Sequence, residues 1–242
     1  MFFKGLVSAV FPNTCAACHT IIDENEFLCD YCMAMLEDCG AYKMCIKCGL
    51  PKEECRCKKD VYFFDGVISA FFRETTAKNA MYDFKFRKNE RVSRYFAERM
   101  ALSVKQNYSD INFDFVTFVP MSNKAKKKRG YNQSELIAKD LAEILKLPFK
   151  SDLLKSHHKK RSQFKLNAKQ RRENVKDIFY CDNELDGQTV LLVDDIKTTG
   201  ATLNECAKVL LSIGADKVYC VTGLISRSKN RLAKGKNKWQ QK

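Results

Sequence analysis

The sequence predicts an α/β fold, in which helices flank a parallel sheet, with a small cysteine-rich module in front of it. From residue 61 onward, segments with strand composition alternate with segments whose apolar residues recur at helical spacing, as in βαβ units. Residues 190–193 are continuously apolar, which is typical of a strand buried on both faces. Nine of the twelve cysteines lie between positions 15 and 57, and this clustering sets the first part of the chain apart.

The clustered cysteines come in closely spaced pairs. Two Cys-x2-Cys pairs place four thiolates around one Zn²⁺ ion, and four thiolates leave no open position for catalysis, so we expect structural zinc, one ion or two. The simplest pairing is sequential along the chain; a crossed pairing, in which the Cys15 pair joins the Cys45 pair, is the alternative. Cys39 is left over, and His19 is a possible substitute ligand. The expected metal ligands are Cys15, Cys18, Cys29, Cys32, Cys45, Cys48, Cys55 and Cys57.

Size and charge narrow the class of partner. The chain has 242 residues and a formal net charge of +14, from 43 Lys and Arg against 29 Asp and Glu. Such a balance favours polyanionic partners, namely nucleic acids, nucleotides or an anionic membrane surface. No apolar run approaches the roughly 18 residues of a membrane span, and residues 1–12 have the pattern of a short amphipathic helix without a cleavage site. We therefore expect a cytoplasmic protein with reduced thiols, which agrees with metal-binding cysteines.

The elements of the body follow from apolar periodicity. Strands are expected at residues 61–64, 67–72 and 113–119 and near 189–195 and 217–223, with a turn at Asp65-Gly66 and a stop at Pro120. Helices are expected at residues 76–86, 91–105, 132–146 and 203–211. We detect no internal repeat. Because ligands of parallel sheets bind beyond the carboxyl ends of the strands, the residues that follow Val119 and Val193 are candidates for a site.

Residues 190–211 combine a strand, a turn of small residues and a helix. Asp194 and Asp195 stand where the apolar run ends, and the turn at residues 198–202 contains Gly200, which allows the backbone to approach a ligand closely. The unpaired N–H groups and the dipole of the following helix favour an anion such as phosphate. Two carboxylates beside a phosphate need other ligands, and sugar hydroxyls or Mg²⁺ meet that need. The stretch therefore predicts a site for a phosphorylated ribose.

This stretch resembles the 13-residue motif of type I phosphoribosyltransferases, which bind phosphoribosyl pyrophosphate (PRPP) together with Mg²⁺. The resemblance implies that Asp194 and Asp195 are the catalytic pair and hold the ribose hydroxyls. Lys197 stands where many relatives carry an apolar residue, and it either adds charge to the loop or faces solvent. The residues that the resemblance assigns to the phosphate are Lys197, Thr198, Thr199, Gly200, Ala201 and Thr202.

Two further motifs narrow the resemblance. The block Arg129-Gly130-Tyr131-Asn132-Gln133-Ser134 and the later pattern Arg161-x-Gln163-x2-Leu166-x4-Arg171, placed between the cysteine module and the acidic pair, resemble the ComF family of phosphoribosyltransferase-like proteins named for bacterial competence. This resemblance implies a zinc-ribbon module at residues 1–60, a type I phosphoribosyltransferase-like domain at residues 61–226 and a basic tail at residues 227–242. It also implies a role in the uptake of single-stranded transforming DNA beside a ComF-type helicase.

Cationic residues around the expected site have two interpretations. Pyrophosphate needs cations and donors, and Ser122, Lys124 and Arg129 on the loop after Val119 can supply them; the alternative is a solvated basic loop. Arg161, Gln163 and Arg171 form either a lid over the ligand or a nucleic-acid surface. The tail carries the chain's one tryptophan, Trp239, and either binds DNA or is a solubilising end.

Three functions are compatible with these features. The first is a phosphoribosyltransferase, that is a glycosyltransferase, in which pyrophosphate leaves PRPP and an acceptor of unknown identity takes the ribose. The second is a transferase-like scaffold that handles single-stranded DNA and a helicase. The third is a sensor in which PRPP alters the affinity for DNA or a partner. We favour PRPP binding combined with a DNA-uptake role, and an active transferase in nucleotide metabolism is the alternative.

Overall fold

The computed structural model describes residues 12–55, 57, 61–87, 91–157 and 178–227. In this part of the chain, a four-stranded sheet with the order β1-β6-β5-β2 forms the centre, and each pair of neighbouring strands is parallel. A separate antiparallel pair, β3-β4, lies outside it. The α/β parallel-sheet prediction is therefore confirmed. The strands are β1 (Gly66–Phe72), β2 (Phe115–Phe118), β3 (Lys155–Ser156), β4 (Phe179–Tyr180), β5 (Thr189–Lys197) and β6 (Lys217–Ile225).

The helices predicted from apolar spacing are confirmed to within two residues at either end. Their apolar faces pack on the sheet, as amphipathic helices require. None of the described helices combines the length and the apolar content that a membrane crossing requires. The helices are α1 (Asp30–Ala34), α2 (Thr75–Arg87), α3 (Arg91–Asn107), α4 (Asn123–Arg129), α5 (Gln133–Leu145) and α6 (Ala201–Ser212).

Strand β5 is buried on both faces, which accounts for its continuous apolar run. Leu191 and Val193 belong to the core formed with α2, α3 and α5. Val190 and Leu192 belong to the second core, formed with α6 and strand β4. Because successive side chains of a strand point to opposite faces, no position between residues 190 and 193 is left for a polar side chain.

One predicted strand is absent, because residues 61–64 do not pair with the sheet. Val61 is 86% exposed, while the ring of Tyr62 stacks on the buried Phe64. The chain joins the sheet only at Asp65, whose N–H donates to the Val218 carbonyl at 2.8 Å and whose carboxylate accepts the Val218 N–H at 2.9 Å. The aromatic side chains before this point therefore pack locally and do not extend β1.

The basic stretch after β2 is a helix, α4, where we expected a loop. The Ser122 hydroxyl caps its start by accepting the Ala125 N–H at 3.4 Å. Gly130 closes its end in the left-handed conformation, with φ 92°, and donates its N–H to the Lys126 carbonyl. Lys and Ala favour the helical state, and basic residues in the last turn interact well with the helix dipole. Local propensity and two capping residues thus outweigh charge repulsion among the lysines.

The cysteine-rich module covers the free edge of β1. The Phe72 N–H donates to the Glu37 carbonyl at 2.9 Å, and the Val67 N–H donates to the Ile46 carbonyl at 2.7 Å. These bonds satisfy backbone groups that an edge strand otherwise leaves exposed. The module and the sheet are therefore joined by backbone hydrogen bonds as well as by side chains.

The double burial of β5 makes a prediction about stability. We expect Leu191→Ala to lower the free energy of unfolding by about 2–5 kcal/mol, because the cavity lies between fully buried neighbours. Leu102→Ala on α3 is the matched control, since the Leu102 side chain is 46% exposed, and it should change stability by less than about 1 kcal/mol. Urea denaturation of both variants checks this. Equal losses in the two variants would contradict the assignment of β5 to the core.

Candidate functional site

The eight paired cysteines form two four-sulfur clusters. Within each cluster the sulfur atoms all lie within 4.8 Å of one another. Individual distances are 3.7 Å between the sulfurs of Cys18 and Cys29 and 3.6 Å between those of Cys45 and Cys57. A tetrahedral site with Zn–S bonds of about 2.3 Å has sulfurs about 3.8 Å apart, whereas a disulfide brings them to about 2.05 Å. The clusters therefore fit two structural Zn²⁺ ions and correspond to the sequential pairing, not the crossed one.

The two clusters are built on the same turn, which occurs once after Cys15 and again after Cys45. The carbonyl of Cys15 accepts the N–H of His19 at 2.9 Å, and the carbonyl of Cys45 accepts the N–H of Gly49 at 2.7 Å. Both fourth residues have positive φ, 64° at His19 and 70° at Gly49. The cysteine-rich module therefore uses one turn conformation and one cysteine spacing twice. His19 takes the place of a turn glycine and is not a member of either cluster.

The acidic pair lies inside β5, because the strand runs on to Lys197, two residues past the expected end near residue 195. Asp194 is 9% exposed. One of its carboxylate oxygens accepts the Ser134 hydroxyl at 3.0 Å and the Asp195 N–H at 2.9 Å. The Asp195 carboxylate forms an ion pair with the Lys85 ammonium group, on α2. Each carboxylate thus has its own partner, on a different helix.

Burial changes the protonation of Asp194. It raises the pKa of Asp194 from 3.8 to about 7, and the neighbouring charge of Asp195 acts in the same direction. The hydrogen bonds from the Asp195 N–H and Ser134, together with the charge of Lys85, oppose this rise. A carboxyl group with a pKa near neutrality, next to a second carboxylate in the sequence, is a feature of binding and catalytic sites.

The turn that follows β5 is held close to the strand. Gly200 has φ 79° and precedes the first turn of α6, where the N–H of Ala201 donates to the Thr199 hydroxyl at 3.3 Å. Lys197 is buried, and its Cε atom lies 3.1 Å from the place that a Cβ atom on Gly200 would occupy. Of the two interpretations of Lys197, the solvent-facing one is wrong. Its side chain lies beneath the turn and brings a positive charge to it.

The Arg-Gly-Tyr-Asn-Gln-Ser block joins three elements around the acidic pair. The Asn132 side chain caps α5 and donates to the carbonyl of Val119, the residue that follows β2, at 3.0 Å. The Tyr131 hydroxyl donates to the Phe84 carbonyl in the last turns of α2. The Ser134 hydroxyl, in the first turn of α5, donates to Asp194. These contacts hold α2, α5 and β5 at one end of the sheet.

The remaining predicted site residues fall into two groups. Ser122 caps α4, Lys124 is exposed on that helix, and Arg129 donates to the Gln133 side-chain oxygen at 3.1 Å. Arg161, Gln163 and Arg171 lie outside the described residues, as do the helix expected at the N-terminus and Trp239. The roles of these residues at a pyrophosphate or in a lid stay predictions.

Lys85 is the site residue that sequence reasoning missed. It follows Met81 by four positions, so it shares the inward face of α2 with that fully buried side chain. A lysine on the apolar face of an amphipathic helix is a signal that a buried carboxylate faces it. The structure alone reveals a second feature, at Gln133. Its side-chain nitrogen is buried and has no hydrogen-bond partner among the described residues.

Comparison with known proteins places these features in one family. A family model for a double zinc ribbon domain matches residues 6–62, and a model for a phosphoribosyl transferase domain matches residues 132–241. The chain is 28% identical over 204 residues to competence protein ComFC of Bacillus subtilis, and the match covers 80% of this chain and 82% of that protein. The chain belongs to the ComF/ComFC family. The resemblance inferred from the two motifs is thus confirmed.

Other relatives extend this family assignment. Competence protein F of Haemophilus influenzae is 33% identical over 141 residues, which cover 56% of this chain and 62% of that protein. DNA utilization protein YhgH of Salmonella typhimurium is 24% identical over 87% of this chain and 96% of that protein. Among solved structures, an adenine phosphoribosyltransferase is 15% identical, covers 63% of this chain and 78% of that chain, and has a TM-score of 0.40. At that TM-score, the fold assignment rests on the sheet topology and the family models.

The two clusters make a prediction about metal content. We expect two zinc ions per chain, and we expect Cys48→Ser to retain one, because the thiolate of Cys48 belongs to the second cluster only. Cys39→Ala is the matched control: Cys39 is buried beside Phe72 and Ile225, outside both clusters, so the variant should keep two ions. Metal analysis of the purified proteins checks this. A Cys48→Ser protein with two zinc ions would contradict the pairing.

The raised pKa of Asp194 makes a prediction about pH. Since the folded-state pKa of about 7 exceeds the ordinary value of 3.8, the folded state binds the extra proton between these values. This group therefore stabilises the fold at low pH and loses that contribution as pH rises through about 7. We expect the free energy of unfolding to fall less between pH 5 and pH 8 in Asp194→Asn than in the parent chain.

Urea denaturation at both pH values measures this difference. The exposed Asp216→Asn is the control, and it should retain the parent's pH dependence. Any effect of pH on zinc binding is common to all three proteins and cancels in the comparison. An Asp194→Asn protein with the parent's pH dependence would show that Asp194 does not titrate in this range.

Proposed function

We propose that this chain binds PRPP with Mg²⁺ at the acidic pair and the turn before α6, and that it acts in the uptake or processing of single-stranded transforming DNA. The observation that carries the ligand assignment is the pair formed by the buried Asp194 and the partly buried Asp195 in β5, which is followed by a glycine turn at the start of α6. Membership of the ComF/ComFC family supports the DNA role, because relatives are called competence and DNA utilization proteins.

The ligand chemistry follows from the two halves of this site. Carboxylates accept hydrogen bonds, so Asp194 and Asp195 suit the hydroxyl groups of a ribose. The turn at residues 198–202 offers backbone N–H groups and threonine hydroxyls, and Lys197 adds a positive charge beneath it. A sugar phosphate carries hydroxyl groups on its ring and a phosphate at one end. This order of groups matches the order of carboxylates and anion-binding turn along the chain.

The Mg²⁺ ion fits the same donor set. Magnesium binds through one or two carboxylates together with substrate phosphates, and it keeps several waters. Asp194 and Asp195 are the carboxylates described at this end of the sheet that have partners from α2 and α5. A bound ion would neutralise pyrophosphate charge. Lys85 already supplies a positive charge to Asp195, so a ligand or metal at this carboxylate would compete with that ion pair.

An active phosphoribosyltransferase is the second candidate. The observation that favours it is the retention of a carboxyl group with a pKa near 7 beside a second carboxylate, an arrangement that lowers stability and that a scaffold alone does not need. Positioning and electrostatic stabilisation would account for such catalysis, in which the bond from C1 to pyrophosphate breaks and a bond to the acceptor forms. Release of pyrophosphate from bound PRPP separates this function from ligand binding alone.

Calorimetric titration with Mg²⁺ and PRPP tests the ligand assignment. We expect the zinc-loaded protein to bind, and we expect an Asp194→Asn/Asp195→Asn variant to bind at least about 100-fold more weakly, because two charge-assisted hydrogen bonds are removed. The control is Asp152→Asn/Asp186→Asn, which removes the same charge from two exposed positions. It should bind like the parent. A folded parent protein without binding at millimolar ligand would overturn the assignment.

A further inference from the structure

Two aromatic side chains stand together on the surface of α2. The rings of Tyr82 and Phe86 lie one helical turn apart, with centroids separated by 4.4 Å and planes inclined by 36°. Tyr82 is 55% exposed and Phe86 is 47% exposed. Exposed apolar side chains that adjoin one another, in contrast to singly scattered ones, are a feature of interaction sites. We call Tyr82 and Phe86 the aromatic platform.

Positive charge borders this platform. The Arg129 guanidinium, at the end of α4, lies 5.3 Å from the centroid of the Phe86 ring. Helix α4 carries four lysines upstream of Arg129, and Lys126 forms an ion pair with Glu135 at 3.0 Å. The platform and α4 together present flat rings next to a cationic helix. The other lysines of this helix, all exposed, are Lys124, Lys127 and Lys128.

We infer that the aromatic platform and α4 form a docking surface for single-stranded nucleic acid. The exposed bases of a single strand stack on aromatic rings, and its phosphates bind lysines, so a single strand can contact both kinds of side chain. A duplex keeps its bases inside the stack and would use the lysines only. A protein partner would need acidic groups for the lysines and an apolar patch for the rings. This inference rests on the DNA role proposed above and assigns a surface to it.

The surface adjoins the proposed PRPP site through one helix. Phe86 follows Lys85 directly, and Lys85 pairs with Asp195 in the sheet. The Phe84 carbonyl accepts the Tyr131 hydroxyl, which belongs to the block that holds α5 against the acidic pair. The last two turns of α2 thus have the platform on their solvent side and contacts to the acidic pair on their inner side. A strand on this surface lies beside the ligand site.

Fluorescence anisotropy with a labelled oligothymidine, roughly 20 nucleotides long so that it exceeds a typical binding site, tests the inference. We expect Tyr82→Ala/Phe86→Ala to weaken binding about tenfold or more, because each stacked base contributes several-fold to affinity. An abasic strand of the same length lacks the bases, so the parent and the variant should bind it equally. Tyr31→Ala/Phe63→Ala is the matched control, since these rings are 72% and 44% exposed elsewhere, and it should bind like the parent.

The contribution of α4 is measured by salt dependence. We expect Lys124→Ala/Lys127→Ala/Lys128→Ala to reduce the slope of log affinity against log salt by about 2, because each phosphate that a lysine neutralises on a single strand adds roughly 0.7 to it. The control removes three exposed lysines from other helices, Lys105→Ala/Lys139→Ala/Lys208→Ala, and so has the same net charge. Its slope should match the parent's. Equal slopes for the two triple variants would show that α4 has no special contact with the strand.

The outcomes separate this inference from the proposed function. If the parent protein binds no single-stranded DNA at low salt, the DNA role fails and the docking surface fails with it. If the parent binds and both double-alanine variants bind equally well, the DNA role stands and the platform is wrong. Tyr82→Ala alone, which removes the more exposed ring, is the second variant, and unfolding midpoints near the parent's confirm that each protein is folded. Equal affinity for duplex and single strand would also overturn the stacking role.

Discussion

The double burial of β5 is the constraint on which the rest of this structure depends. The strand lies between β2 and β6 with helices on both faces, and then carries two carboxylates while it is still in the sheet. A buried carboxylate is unfavourable unless it has hydrogen bonds or a counter-charge. Ser134 supplies the first for Asp194 and Lys85 supplies the second for Asp195. The two carboxylates of the central strand therefore constrain where α5 and α2 lie, because each helix supplies one of their partners.

Much of the fold could be predicted from the sequence, because local patterns decide it. The apolar run at residues 190–193, the helical spacing and the paired cysteines each point to one structure, and each is confirmed. The predictions that failed concern segments whose structure depends on contacts with residues distant in the sequence or on capping residues. Residues 61–64 have strand composition, but the segment first hydrogen-bonds to the sheet at Asp65. Lys124 and its neighbours look like a solvated loop until Ser122 and Gly130 are recognised as helix caps.

Only the part of the candidate site that lies on one continuous segment, the acidic pair and the glycine turn, could be predicted from the sequence. Asp194, Asp195 and the glycine turn are contiguous in the sequence, so a motif reveals them. Lys85 is more than a hundred residues away, and only the fold brings its ammonium group to Asp195. Of the Arg-Gly-Tyr-Asn-Gln-Ser block, Arg129 alone was expected near pyrophosphate, and the motif assigned no role to Tyr131 or Asn132. The structure shows that both make bonds to backbone carbonyls, and these bonds account for their place in the motif without a ligand.

The order of the strands has a consequence for the synthesis of the chain. In the described sheet every pair of neighbouring strands contains β5 or β6, so no two of its strands can pair before residue 189 has been made. The four cysteines of each ribbon, in contrast, are all in place by residue 57. A metal-bound unit can thus form early and hydrogen-bond to β1, whereas β1 has no partner within the sheet until β6 has been made. Arg227, whose guanidinium lies over the Phe72 ring and pairs with Glu37, joins the two parts only after the last strand has emerged.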